Sequence, residues 1–243
     1  MNPPPASPFR YGAFLQSFAR DLATFMALDS YVTHNPSSPI HLVSDGGDDL
    51  ADLAKKFHCS YVREAFNVGR ARKADATANQ FIWLQRIYRA CQTTFAEVDW
   101  IVLLESDVEC LRSPAHPPRY SLAGGRNGPA WTPPLRTLLA EKFGQRVRNG
   151  GLGMNYIGCG GSIFHKERFI HCLERTDLAV FEEAQQLDLR ILGWTDATIC
   201  FLFQFNGWDT GDWEDYGRHD DPDRERRAFV HGSKRFYNKP LVL

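Results

Sequence analysis

The run WIVLLESD, Trp100 to Asp107, constrains the fold of this chain more than any other stretch. Four consecutive large apolar residues, Ile101 to Leu104, are opened by Trp100 and closed by a polar cluster, which reads as a strand buried on both faces of a parallel sheet. Glu105, Ser106 and Asp107 then fall just past its carboxyl end. In open α/β sheets that edge is where ligands bind.

The segments before this run supply what a buried parallel strand needs. YGAFLQSF reads as a strand leading into a helix with Leu22, Phe25, Met26 and Val32 on one stripe. PIHLVSDGG is a second strand ending in a glycine turn. DDLADLAKKFH then sets Leu50, Leu53, Ala54 and Phe57 at helical spacing, with aspartates in the first turn where the helix dipole favours them. CSYV is a short third strand, and after the basic loop FNVGRARK a long helix carries Phe81, Leu84, Tyr88, Cys91 and Phe95. This β-α-β-α-β-α-β order predicts an α/β, Rossmann-like fold with a mixed, mostly parallel central sheet flanked by helices.

The second half is less regular. SPAHPPRYSLAGGRNGPAWTPPL reads as loops with one strand, followed by a helix near Leu135 to Phe143. A glycine-dense loop precedes the strand GSIFH and a helix from Lys166. WTDATICFLFQFNGW places a lone acid, Asp196, at the start of an apolar helix. The stretch from Asp209 to Arg227, with eight acids and four arginines, reads as a solvated loop. No repeat or linker divides the chain, so 10–243 reads as one domain, with a nucleotide-binding half at 10–111 and an acceptor-binding half at 112–243. Residues 1–9, opening MNPPPASP, read as a disordered leader.

At 243 residues and a formal net charge of −1, the chain has room for one large core and no global field to recruit nucleic acid or an anionic membrane. Any anionic ligand must be held locally. No signal peptide and no 18-residue apolar span is present. The six cysteines, Cys59, Cys91, Cys110, Cys159, Cys172 and Cys200, form no C-x-x-C pair and read as reduced core thiols of a cytoplasmic protein.

Mn²⁺ or Mg²⁺ takes oxygen ligands and is commonly held by one or two carboxylates together with substrate phosphates. Glu105 and Asp107, at i and i+2 past a strand end, can converge on such an ion, while the small Ser106 lets the backbone approach a sugar or ribose. That is the layout of a D-x-D motif, with Glu109 a further acid; the competing reading is a turn of solvated acids.

Here the chain resembles the GT-A class of nucleotide-sugar glycosyltransferases, over nearly all of its length after the leader. The resemblance rests on order, spacing and short motifs: VSDGG, NVGRARKADATAN, ESD, IGCGGSIF, WTDATICFLF and, late in the chain, VHGSK, which is similar to the His-Gly-Lys cluster of the glycogenin-like branch. It implies a metal-dependent transferase that takes a nucleoside diphosphate sugar, foremost a UDP-sugar, and a carbohydrate or other hydroxyl acceptor. It implies Glu105, Asp107 and His231 as metal ligands. Asp45, Arg70, Arg72, Lys73, Asp75, Ser106, Gly232 and Lys234 would lie along the nucleotide, Gly160, Gly161 and Trp194 at the acceptor, and Asp196 would be the catalytic residue, a base if the anomeric centre inverts, an acceptor-positioning or oxocarbenium-stabilising carboxylate if configuration is retained. The tail from Phe229 to Tyr237 would clasp the donor. Two departures stand out: Glu105 replaces the first aspartate, leaving Asp107 the surer direct ligand, and Val108 stands where a D-x-D-D variant has a further acid.

The residues themselves leave alternatives open. Asp45 can meet a base or ribose, or only shape its turn. The basic residues suit a diphosphate or a solvated loop. Asp75 can orient the ribose, brace Arg72 or favour a helix N-terminus. The glycines, Gly158 included, can admit a sugar or serve turn geometry. Asp196 can act as a general base, its apolar surroundings raising its pKa, or cap its helix in competition with Thr195. His231 alone reads as a structural histidine more readily than as a ligand; Gly232 and Lys234 beside it and a carboxylate pair elsewhere turn the reading to a ligand. Two other classes compete. A sugar nucleotidyltransferase would carry a glycine-rich basic signature after the first strand, where QSFARD has none. A non-catalytic carbohydrate-binding module would use Trp194, Trp208 and Trp213 as platforms and need no diphosphate clamp.

Overall fold

The computed structural model describes residues 9–19, 22–68, 76–143 and 155–232. Strands β1 (Tyr11–Ser17), β2 (Ile40–Asp45), β3 (Ser60–Glu64) and β4 (Trp100–Leu104) alternate with helices α1 (Leu22–His34), α2 (Ala51–Lys56) and α3 (Ala76–Gln92). They form the parallel part of a seven-stranded sheet in the order β3-β2-β1-β4. All four therefore end at one edge, and Glu105 to Asp107 stand there. β4 is buried throughout, and its side chains divide by the period of two: Ile101 and Leu103 enter one core, Trp100, Val102 and Leu104 the other.

Beyond β4 the sheet becomes mixed, antiparallel at its next two pairings and parallel at its last. β7 (Asn155–His165) pairs with β4 and with β6 (Leu122–Ala130), and β8 (Thr210–Asp212) completes that edge. Helices α4 (Pro133–Phe143), α5 (Lys166–Glu174), α6 (Leu178–Leu187), α7 (Arg190–Gly193) and α8 (Thr195–Phe205) belong to this half. Helix α8 is buried from Ala197 to Gln204, as a helix apolar on every side must be, and it packs on β7. A second, three-stranded sheet has the order β5-β10-β9, from β5 (Val108–Cys110), β10 (Phe229–His231) and β9 (Tyr216–Arg218).

The expected fold class holds, with local corrections. Leu50, Leu53, Ala54 and Phe57 are all buried around α2. On α1 the buried face is Ala23, Thr24, Ala27, Leu28 and Tyr31, one step round from the stripe read in the sequence, and the helix packs against the segment Val108–Cys110. The stretch Asp209–Arg227 is not a plain solvated loop: it contains β8, β9 and a 3-10 turn at Arg224–Arg226. Trp213, Asp215 and Tyr216 within it are buried. Asp215 pairs with Arg112, and its carbonyl accepts from the amides of Ala228 at 2.8 Å and Phe229 at 2.9 Å. The glycine-dense segment before GSIFH belongs to β7 from Asn155 onward. Cys59, Cys91, Cys110, Cys172 and Cys200 are free thiols, and among the described residues no helix is long and apolar enough to cross a membrane.

Candidate active site

Glu105 and Asp107 meet His231 at the carboxyl edge of β4. His231 Nε2 lies 3.4 Å from Asp107 Oδ2 and 3.9 Å from Glu105 Oε2. One ligand atom from each residue falls within 4.8 Å of the others. Strand pairing makes this convergence: β5 begins just after Asp107, and β10 runs antiparallel to it with His231 opposite Val108. The amide of Gly232 then donates to the Asp107 carbonyl at 3.1 Å, at φ +92°, a left-handed turn that glycine makes without strain.

The acids bear the marks of a cation site. Asp107 is 5% exposed, and its Oδ1 has no hydrogen-bond partner among the described residues. Desolvation against the surrounding protein, then the charges of Asp107 and Asp196, raise the Glu105 carboxyl, by less than full burial would because its side chain keeps 43% of its surface exposed. A divalent ion relieves both the like-charge repulsion and the unpaired oxygen, and two carboxylates with one imidazole suit Mn²⁺ or a similar ion. The residues present therefore fit the group.

Residues that no motif announced complete the site. Tyr216 Oη lies 3.3 Å from His231 Nδ1, leaving Nε2 toward the acids, the kind of second partner that orients a ligating histidine. Room for that ring is made by glycines: a Cβ on Gly125 would come 2.1 Å from Tyr216 Cε1, and one on Gly161 would meet Phe229 and Tyr216. A Cβ on Gly160 would come 2.6 Å from Val108 Cγ2 and 2.8 Å from Glu105 Cβ. The space over Gly160 and Gly161 is thus taken up by Glu105, Val108, Tyr216 and Phe229, neighbours that the sequence reading did not foresee.

Asp196 stands in the first turn of α8, close enough to raise the Glu105 carboxyl with its charge. Trp194, not Asp196 or Thr195, holds the cap position. Burial raises the Asp196 carboxyl, while the Ala197 amide, which donates to Oδ1 at 2.9 Å, pulls the other way. Trp194 is half exposed just ahead of it. The short helix α7 before Trp194 is anchored by buried Asp188, whose Oδ2 accepts from Arg190 Nη2 at 2.6 Å and from the Thr132 amide at 3.1 Å.

Asp45 ends β2 almost fully buried. Its Oδ1 accepts from Arg86 Nη1 at 2.6 Å and from the Val68 amide at 2.8 Å, so it has partners inside the protein. Ser106 is half-buried between the two acids. Arg70, Arg72, Lys73, Asp75 and Lys234 lie outside the described residues. A cavity of about 450 Å³ lined by Tyr11, Asn35 and Thr94, and one of about 640 Å³ lined by Arg112, Tyr120 and Trp213, have none of these acids in their walls. Volume alone would point elsewhere; buried Asp107, with Oδ1 unpaired and Glu105 and His231 beside it, is the stronger signal of chemistry.

A mixed sheet of this order, with acids past the fourth strand, is a GT-A-like, Rossmann-type fold. No family description matches the chain, and no curated protein matches it in sequence. Among solved structures, the galactosyltransferase LgtC, in complex with donor and acceptor sugar analogues, is similar over 90% of this chain and 86% of that one, with a TM-score of 0.50 and 13% identity. The likeness is one of fold.

Proposed function

We propose that this chain is a metal-dependent glycosyltransferase, moving a sugar from a nucleoside diphosphate sugar, a UDP-sugar foremost, to a hydroxyl of a carbohydrate or other acceptor. One observation carries the reading: Asp107, buried and with an unpaired Oδ1, converges with Glu105 and His231 at the ligand-binding edge of a GT-A-like sheet. Glu105, Asp107 and His231 would hold Mn²⁺ or Mg²⁺; when bound, the ion supplies Lewis-acid neutralisation of the departing diphosphate, a contribution of several kcal/mol. Arg70, Arg72, Lys73 and Lys234 add positive charge for the same diphosphate. Ser106 and Gly232 leave space beside it, and Asp45 and Asp75 serve the nucleoside side, Asp45 through its hold on Arg86 and Val68.

In the reaction the acceptor oxygen forms a bond to the anomeric carbon, the bond from that carbon to the diphosphate oxygen breaks, and the electron pair leaves with the nucleoside diphosphate. Asp196 takes the acceptor proton where the anomeric centre inverts, and its raised pKa suits a base. Where configuration is retained, the same carboxylate positions the acceptor or stabilises an oxocarbenium-like state, Trp194 offers the acceptor a stacking face, and the departing diphosphate oxygen takes the hydroxyl proton. Incubating the protein with a panel of nucleotide-sugars and Mn²⁺ tests the reading. Release of free UDP or GDP from one donor is the expected result, and release from none would overturn it.

A further inference from the structure

Among the described residues four large apolar side chains are well exposed: Val62, Phe66, Leu189 and Trp194. Phe66 is distinguished by what holds it. It is 45% exposed, just past β3 on the ligand edge, beside the end of β2. Its carbonyl accepts from Arg86 Nη2 at 2.8 Å. Two residues on, the Val68 amide is fixed by Asp45, and Arg86 Nη1 reaches both Asp45 at 2.6 Å and Gln16 Oε1 at 2.8 Å. The Arg86 side chain is 1% exposed. The neighbouring turn is packed against the same backbone, since a Cβ on Gly46 would come 2.8 Å from the Phe66 carbonyl carbon and 2.7 Å from the Asn67 nitrogen.

A buried ion pair seldom returns in stability what desolvating both charges costs, and an exposed phenylalanine forgoes its burial energy. Both are accounted for when the pair serves to hold the ring still. We propose that Phe66 is the face on which the donor's nucleobase stacks, and that Arg86, with Asp45, is the positioning residue that fixes it. The inference rests on reading the chain as a nucleotide-sugar transferase. Every base offers a π-face to an aromatic ring, and a platform whose backbone is pinned on both sides loses little freedom on binding. Stacking far from the anomeric carbon is equal in ground and transition states, so it governs donor affinity and not the chemical step.

The test compares UDP with inorganic pyrophosphate, which carries the same charged group without a base, each titrated calorimetrically into the Mn²⁺-loaded protein. Phe66→Ala weakens UDP binding by about 10-fold or more, leaves pyrophosphate binding unchanged, and raises donor KM without lowering kcat. Phe66→Tyr restores UDP affinity. Arg86→Lys keeps the charge but not the fork to the Phe66 carbonyl, and follows Phe66→Ala in direction. Unchanged UDP affinity in Phe66→Ala, or equal losses for UDP and pyrophosphate, overturns the proposal. If Asp107→Asn abolishes UDP binding while Phe66→Ala leaves it intact, the transferase reading stands and this inference falls; if the parent protein binds no nucleotide with Mn²⁺, both fall.

Discussion

At Asp107 the fold keeps a carboxylate 5% exposed, with Oδ1 unpaired and Glu105 beside it, so the ligand-free protein bears the cost of a buried unsatisfied oxygen. Asp107→Asn keeps the shape and removes the charge. Mn²⁺-dependent UDP affinity should fall by about 100-fold or more, while the metal-free variant is as stable as the parent, or about 1 kcal/mol more stable. Calorimetry and urea unfolding check the two halves, and a clear loss of metal-free stability would contradict the stored cost. Asp196→Asn likewise keeps the size and removes the base: sugar transfer should drop by roughly 100-fold or more with donor affinity little changed. Turnover near that of the parent would leave Asp196 only its contact with the Ala197 amide. His41, away from these acids, sets a pH dependence. Burial, then the charge of Arg89, lowers its imidazole to about 4, and its Nδ1 lies 2.8 Å from Thr94 Oγ1. Its folded value is below the unfolded one, so the folded protein binds fewer protons between pH 6.5 and 4. The stability this confers is present above about pH 6.5 and is lost as pH falls toward 4, to a total of about 3 kcal/mol. In His41→Gln the unfolding midpoint should fall less steeply over that window; an unchanged acid limb would show that other groups set it.

Strand β7 joins the parallel half to the rest of the sheet, and its glycines decide how closely the acids sit against it. In Gly160→Ala the new methyl would stand 2.8 Å from Glu105 Cβ. Overpacking there should cost about 1–3 kcal/mol and displace Glu105, lowering Mn²⁺-dependent UDP affinity by about 10-fold. Gly211→Ala makes a comparable clash, 2.4 Å from Tyr120 Cε2, on β8, a strand that supplies none of the residues meeting at His231, and should cost stability alone. Equal UDP affinities for the two variants in calorimetry would separate Gly160 from the site. Elements of this kind differ in how far the sequence reveals them. β4 was legible because five successive buried side chains leave no other reading, and α2 because its apolar spacing is helical. The three-residue strands β5, β8, β9 and β10 were not, since so short a run carries no period and its pairing partners are remote in sequence. Tyr216 was hidden for the same reason, inside a stretch whose charges read as solvent-facing. Arg86 looked like any helical arginine, because nothing local says that its partner is Asp45, on a strand far earlier in the chain.

For the molecule as a whole, the candidate site is assembled from segments far apart in the chain, so its integrity depends on the small sheet that ties them. The sequence alone suggested a tail, from Phe229 to Tyr237, that orders only over bound donor. The structure gives the first part of it another character: Phe229 is fully buried, its ring 5.6 Å from that of Trp213 and 6.2 Å from that of Tyr31, and β10 is the middle strand of β5-β10-β9. The amide of Phe229 donates to Asp215, that of Leu111 to Ala228, and that of Gly232 to Asp107. These bonds involve no ligand. Exchange of such amides requires opening the small sheet, and with Phe229 in the core that opening approaches global unfolding. Hydrogen exchange of the metal-free, nucleotide-free protein should therefore show Phe229 and Leu111 protected to the level of the β4 amides, with Gly232 somewhat less protected at the strand end. Adding UDP and Mn²⁺ should raise the protection of all of them together, by the linkage free energy of binding to the folded state. Rapid exchange at Phe229 without ligands, with protection gained only when both are added, would restore the clasp and make His231 a ligand delivered by donor binding instead of one already in place.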